Sequence, residues 1–301
     1  GGRGESAHTY IDVIDSEGKN LSTTMAMYED GPQFDKQDYH SSGFLDRNFG
    51  VGTFISIMKC GDILFDLWIP VEACCKMMGL NVQSVFPSAP KQPDALLICR
   101  GKWNDSTLRY DLSFTPIVLD DRQSSRGISE PVIAELKSGK ILVVFRASNL
   151  ILARWNPRIS PYAPGYKFYC LSDDGGKTFS PPMPWHFDSR EVIYSPATYA
   201  IIFRSEANGK LYWVGNITDP TKTYSNYPRW PLQIVEVDEE WGVAKKDTLT
   251  VIDTRREDET ELVQLSNFGL LQDRETGDVE IYLTKYGQFP NRDTRDCEVW
   301  K

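Results

Sequence analysis

Several things are scarce in this sequence, and each scarcity removes a class of function. No stretch approaches 18 consecutive apolar residues, so no transmembrane helix and no membrane insertion are expected. Histidine occurs only at His8, His40 and His186, which leaves little material for histidine-based catalysis. P-loop, dinucleotide-fingerprint and Ser-His-Asp spacings are missing. The cysteines stand at 60, 74, 75, 99, 170 and 297, and the adjacent Cys74-Cys75 is not a metal spacing. Neither a metal nor a cofactor is expected. Free buried thiols are the simple expectation, with one or two disulfides if the protein is secreted. Positive charge is in deficit, 33 Lys and Arg against 42 Asp and Glu, for a net charge of −9. Nucleic acid is therefore not an expected partner, and an anionic ligand would need a local cluster of arginines. The opening Gly1-Gly2-Arg3-Gly4-Glu5-Ser6 does not read as a signal peptide and is expected to be a scar or an internal cut.

Long helical periodicity is also nearly absent; the best helix candidate is the short Val71–Leu80. What is present is β-structure. Apolar runs of three to seven residues recur at Phe54–Met58, Ile63–Ile69, Ala95–Cys99, Val132–Leu136, Ile141–Phe145, Tyr199–Phe203, Leu211–Val214, Leu232–Val237, Leu249–Ile252, Gly269–Leu271 and Val279–Leu283, with turn residues between them. Four junctions share one form, an apolar strand, a glycine turn and another apolar strand. They centre on Gly61, Gly139, Gly209 and Gly277, which are 78, 70 and 68 residues apart. A period near 70 with four strands per unit predicts an all-β fold, a β-propeller of four-stranded antiparallel blades. Within one domain spanning 1–301, approximate blades are expected at 48–125, 126–190, 191–258 and 259–301. Residues 8–35 would supply outer strands of another or the closing blade; in a smaller propeller, Thr9–Asp15 and Met25–Tyr28 would complete the last blade by pairing with the C-terminal strands.

One junction is more specific. Ser172-Asp173-Asp174-Gly175-Gly176-Lys177-Thr178-Phe179 fits S-x-D-x-G-x-T-[WF]. Asp174 can accept backbone N–H bonds across the turn, Gly176 permits its angles, and Phe179 anchors it in the core. This segment resembles the Asp-box of the sialidase superfamily, where it is a structural hairpin between outer strands. The resemblance implies a propeller of five or six blades, and it places Asp173 and Asp174 outside the catalytic set.

The likeness extends from about Gly50 to Tyr286. Arg126 to Arg146 is similar to the sialidase segment in which a glutamate opens an inner strand and an arginine closes the next. The resemblance implies that Glu130 acts as a base and that Arg146 is one of the arginines clamping a substrate carboxylate. Arg229, after the strand that ends at Asp219-Pro220, takes the place of a second clamp. A carboxylate and guanidinium groups on neighbouring strand ends also suit acid–base work and bidentate anion binding on physical grounds.

The last blade departs from the family pattern. A Tyr-Ser pair, with the tyrosine as nucleophile, is replaced by Leu265-Ser266. Tyr286 is then the candidate phenol, Glu261 a candidate second carboxylate, and Gln264 a mouth-facing residue. Arg47, Arg126 and Asn267 complete the candidate substrate ligands. The first-blade arginine and acid/base motifs of the family are missing.

Two functions remain open. One is an exo-acting glycoside hydrolase removing a terminal acidic sugar, with a glycan or glycoside as its substrate. The other is a non-catalytic carbohydrate-binding propeller. A secreted or periplasmic setting is expected, and a homo-oligomer is allowed.

Overall fold

The computed structural model describes residues 7–38, 40–87, 94–147, 165–223, 225–289 and 298–300. An N-terminal hairpin of β1 (Tyr10–Ile14) and β2 (Asn20–Met25) precedes a one-turn helix, α1 (Ser42–Leu45). The first large sheet runs β3 (Ile55–Ile57), β4 (Ile63–Pro70), β5 (Asp94–Asn104) and β6 (Arg109–Ile117) in chain order. Two short helices, α2 (Val71–Met77) and α3 (Val82–Val85), lie between β4 and β5. The second sheet is β7 (Ile128–Glu135), β8 (Ile141–Ala147), β9 (Lys167–Ser172) and β10 (Met183–Pro184).

In the third sheet, β11 (Ile201–Arg204), β12 (Leu211–Asn216) and β13 (Leu232–Asp238) are followed by a split outer edge. There β14 (Val243–Ala244) and β15 (Thr250–Asp253) each pair with a different end of β13. The fourth has β16 (Gly269–Gln272), β17 (Val279–Lys285) and β18 (Glu298–Trp300). Every strand pairing within these sheets is antiparallel.

The sheets stack face to face because the first three are apolar on both faces and the fourth on the face toward the third. Along β8, Ile141, Val143 and Phe145 join a core shared with Leu64, Leu96 and Ile98 of the first sheet. The intervening Leu142 and Val144 join a core shared with Trp213 and Val235 of the third. Strand side chains alternate between faces, so a strand covered on both sides reads as a continuous apolar run. The same alternation along β13 sends Val235 and Val237 toward the second sheet. Leu232 goes the other way, to Leu265, Phe268 and Leu283 of the fourth. This serial stacking of antiparallel meanders, two of four strands, one of five with its outer edge split and one with three strands among the described residues, is the propeller-blade arrangement. The described residues form four such sheets, one per glycine turn, of the five or six expected. All four turn glycines have positive φ, for example 85° at Gly139 and 69° at Gly209, a region that favours glycine.

The segment that resembles an Asp-box lies between β9 and β10. Asp174 accepts from the backbone N–H groups of Lys177 (3.0 Å) and Thr178 (2.9 Å) and from the Ser172 hydroxyl (2.8 Å). The Thr178 side chain and N–H, with the Ser172 hydroxyl, hold the Asp174 carboxyl well below its usual range. Phe179 packs on the core between the first two sheets. The box therefore does structural work and sits at the end of β9 opposite Lys167.

The N-terminal hairpin corrects one expectation. Among the described residues β1 and β2 pair only with each other, not with the C-terminal strands. Ile11 and Tyr28 pack on the core of the first sheet, and the Ser22 hydroxyl donates to the Leu108 carbonyl. Cys60, Cys74, Cys75, Cys99 and Cys170 are free thiols, with all but Cys60 buried; Cys297 lies outside the described residues.

Candidate functional site

Glu130 owes its position to the residue after it. Pro131 has no N–H to give to the β7–β8 ladder. Pairing accordingly jumps from Ser129–Arg146 to Val132–Val144, and the bulge leaves Glu130 at φ 46°. A non-glycine residue held there costs about 1–3 kcal/mol, so the surrounding fold must enforce it. Bulges re-aim side chains, and here the carboxylate is aimed at Arg146, which donates to Glu130 Oε2 through Nη1. Both side chains are largely buried, 18% and 17% exposed.

Lys167 stands directly across the β8–β9 ladder from Arg146. It is 2% exposed, and its ammonium donates to the Thr198 carbonyl at 2.6 Å. Burial is the main cause that lowers this amine to about 7; the nearby Arg146 and Arg229 charges push the same way, and Glu130 opposes them.

Arg229 arrives from the loop before β13. Its Nε donates to the Asn226 carbonyl (3.1 Å), and Nη1 donates to Gln264 Oε1 (3.0 Å) and Ser266 Oγ (3.1 Å). Its guanidinium lies 6.0 Å from the centre of the Tyr227 ring. Burial and then Arg146 lower its pKa. Arg126, just before β7, donates to Asn226 Oδ1 at 2.6 Å. Asn226 thus holds Arg126 with its side chain and Arg229 with its backbone.

Besides Lys167, two further residues overlooked in the sequence join this group. Tyr199 lies at the start of the third sheet, and its phenol pKa is raised by burial, then by the charges of Glu130 and Asp66. Its ring meets Phe268 edge-on at 5.9 Å. Asp66, in β4, is fully buried and accepts from the N–H groups of Thr53 (3.0 Å) and Phe54 (2.7 Å). Burial pushes its carboxyl up to about 6, against the pull of those hydrogen bonds.

Glu130, Arg146, Arg229 and Arg126 therefore occupy one neighbourhood, with Gln264 and Ser266 supporting Arg229. The other sequence candidates fall elsewhere or enter differently. Glu261 is 72% exposed and faces Arg255 at 3.5 Å, so it is not a second buried carboxylate beside Glu130. Arg255 itself lies over Trp230. Arg47 is exposed and donates to the Asp30 carbonyl, which ties it to the N-terminal segment rather than to the Glu130 group. Asn267 is exposed, at φ 59°, with no side-chain hydrogen bond among the described residues.

Tyr286 joins through its backbone, whose carbonyl accepts from Gln264 N at 2.9 Å. Leu265 is fully buried in the core between the third and fourth sheets, while Ser266 beside it carries Arg229. No group of three His, Cys, Asp or Glu side chains that could hold a metal occurs among the described residues.

No protein-family model and no curated protein matches this chain. Its fold is distantly similar to solved carbohydrate-active propellers. Against a K499G variant of the NanB sialidase from Streptococcus pneumoniae, identity is 13% over 84% of this chain and 30% of the other, with a TM-score of 0.46. Against an ulvan lyase of polysaccharide lyase family 25, identity is 12% over 93% and 62%, with a TM-score of 0.43. A Dyadobacter fermentans protein of unknown function gives 18% over 78% and 62%, with a TM-score of 0.41. The chain spans between three-tenths and about three-fifths of the length of these proteins.

Proposed function

We propose that this protein is an exo-acting glycoside hydrolase that removes a terminal acidic sugar from a glycan. The observation that supports this is the ion pair of Arg146 with Glu130, with Lys167 and Arg229 near enough to feel both charges and Arg126 tied to Arg229 through Asn226. In a chain with a net charge of −9, that local excess of positive charge favours an anionic ligand. Guanidinium forks suit a carboxylate or sulfate held at two points. An anionic sugar arriving at Arg146 competes with Glu130 for it. The freed Glu130 then serves as the base, and Tyr199 is the phenol within reach of its charge.

The test is release of the aglycone from aryl glycosides of carboxylate-bearing and sulfated sugars. Glu130→Gln is expected to reduce release by about 10²–10⁴-fold. Turnover unchanged by Glu130→Gln overturns the assignment.

A second reading, non-catalytic binding, draws on Leu265, whose burial in the core leaves no phenol at the position where the family has one. Retention of acidic sugars on a glycan array with no release from any substrate would favour it.

A further inference from the structure

A cleft of about 520 Å³ lies at the outer rim between the second and third sheets, lined by Tyr169, His186, Asp188, Arg190, Asp238, Trp241 and Val243. It is separate from the Glu130 neighbourhood. Arg229 precedes the first residue of β13 by three positions, whereas Asp238 and Trp241 lie at and beyond its last residue. A seven-residue strand spans on the order of 20 Å.

The lining has an unusual division of labour. Trp241 is 63% exposed, and its backbone N–H is fixed by Asp238 Oδ1 at 3.2 Å. Its indole is therefore a flat apolar surface on an anchored turn. Arg190, at φ 69° in the turn between Phe187 and Glu191, makes no side-chain hydrogen bond or ion pair among the described residues. Asp188 uses Oδ1 to accept from Ser189 N (2.9 Å) and Lys246 N (3.1 Å), and Asp238 uses Oδ1 for Glu240 N (2.9 Å) and Trp241 N. The second oxygen of each carboxylate accepts no such bond among the described residues. The Tyr169 hydroxyl and His186 Nε2 sit 3.4 Å apart at the inner wall.

We infer that this cleft is a binding site for a neutral pyranose of a glycan chain, held with its C–H face on Trp241 and its hydroxyls on Arg190, Asp188 and Asp238. Planar carboxylate and guanidinium groups each bridge adjacent hydroxyls at two points, and an exposed indole matches the apolar face of a sugar ring. The volume falls within the roughly 300–1,000 Å³ usual for small-ligand sites. Two carboxylates against one guanidinium disfavour a phosphate, sulfate or uronate. The cleft therefore complements the cationic neighbourhood of Glu130: one region suits an acidic unit of a glycan, the other a neutral unit.

The experiment is saturation-transfer NMR with lactose, cellobiose and mannobiose on the wild type, Trp241→Ala, Arg190→Ala and Glu130→Gln. The wild type is expected to transfer saturation to at least one disaccharide. Trp241→Ala should abolish the transfer and Arg190→Ala should weaken binding at least tenfold, both with unchanged thermal unfolding. Glu130→Gln should leave it intact. No transfer from the wild type, equal transfer from Trp241→Ala, or loss in Glu130→Gln alone overturns the inference.

Discussion

The burial of Lys167 makes a quantitative prediction about stability. Its amine is lowered to about 7 in the folded protein, against an ordinary lysine value of 10.5. Between those two values the unfolded chain holds a proton that the native state does not. Wild-type stability therefore rises with pH across this window, by up to about 1.4 kcal/mol per pH unit from this one residue. Below pH 7 both states hold the proton, and the full cost of burying an ammonium is present and constant. Lys167→Met keeps the length of the side chain and removes the titration. Urea denaturation of both proteins at pH 6, 7, 8 and 9.5 isolates the site, because every other titrating group cancels in the difference. From pH 8 to 9.5 the wild type should gain about 2 kcal/mol on the variant. The same titration adds a positive charge beside Arg146 as pH falls through 7, so affinity for an anionic sugar should rise there. Stability curves that stay parallel across the whole range would refute the reasoning.

Other expectations follow from the same geometry. Arg229→Ala should weaken binding of an acidic sugar by roughly tenfold or more, the equivalent of about 1.5–3 kcal/mol, and flatten its salt dependence in calorimetric titrations. Glu259 pairs with the buried Lys285 at 2.8 Å, so Glu259→Ala should cost about 3 kcal/mol in urea denaturation. That is the lower end of the usual range, since Asp253 stays 3.6 Å from the ammonium. A Cβ at Gly127, which has φ 70°, would lie 1.9 Å from the Asp94 carbonyl oxygen. Gly127→Ala should therefore destabilise by more than about 3 kcal/mol, read as a large fall in the thermal midpoint.

Much of the framework was legible because glycine turns and two-sided burial leave strong marks. The run Ile141–Phe145 announces a strand between two faces, and Gly139 announces its turn. Helix α2 is equally plain in Val71–Met77. The site was only partly legible. Glu130, Arg146 and Arg229 were singled out by the resemblance of their segments to sialidase strands, and Glu130 and Arg146 also bracket one hairpin. Lys167 escaped notice because a lysine heading an apolar strand reads as solvent-facing, and only the stacking of the next sheet buries it. Tyr199 looked like one more aromatic of β-structure. Asp66 sat inside an apolar run as an irregularity, its backbone partners hidden until Thr53 and Phe54 folded over it. Glu261 was misjudged for the opposite reason: sequence order places it near Gln264, but its side chain points to solvent.

The shared anchoring through Asn226 bears on how the site can change. One residue holds Arg126 by its amide oxygen and Arg229 by its carbonyl oxygen. Substitutions at these two arginines are therefore not independent, and their energetic effects should depart from additivity. A lineage adjusting its ligand preference could release Arg126 by changing the Asn226 side chain, whereas releasing Arg229 requires the backbone of this loop to move. A replacement of Asn226 removes the amide oxygen that holds Arg126 and keeps the carbonyl that holds Arg229, so the two charges are tied through one residue by groups of different permanence.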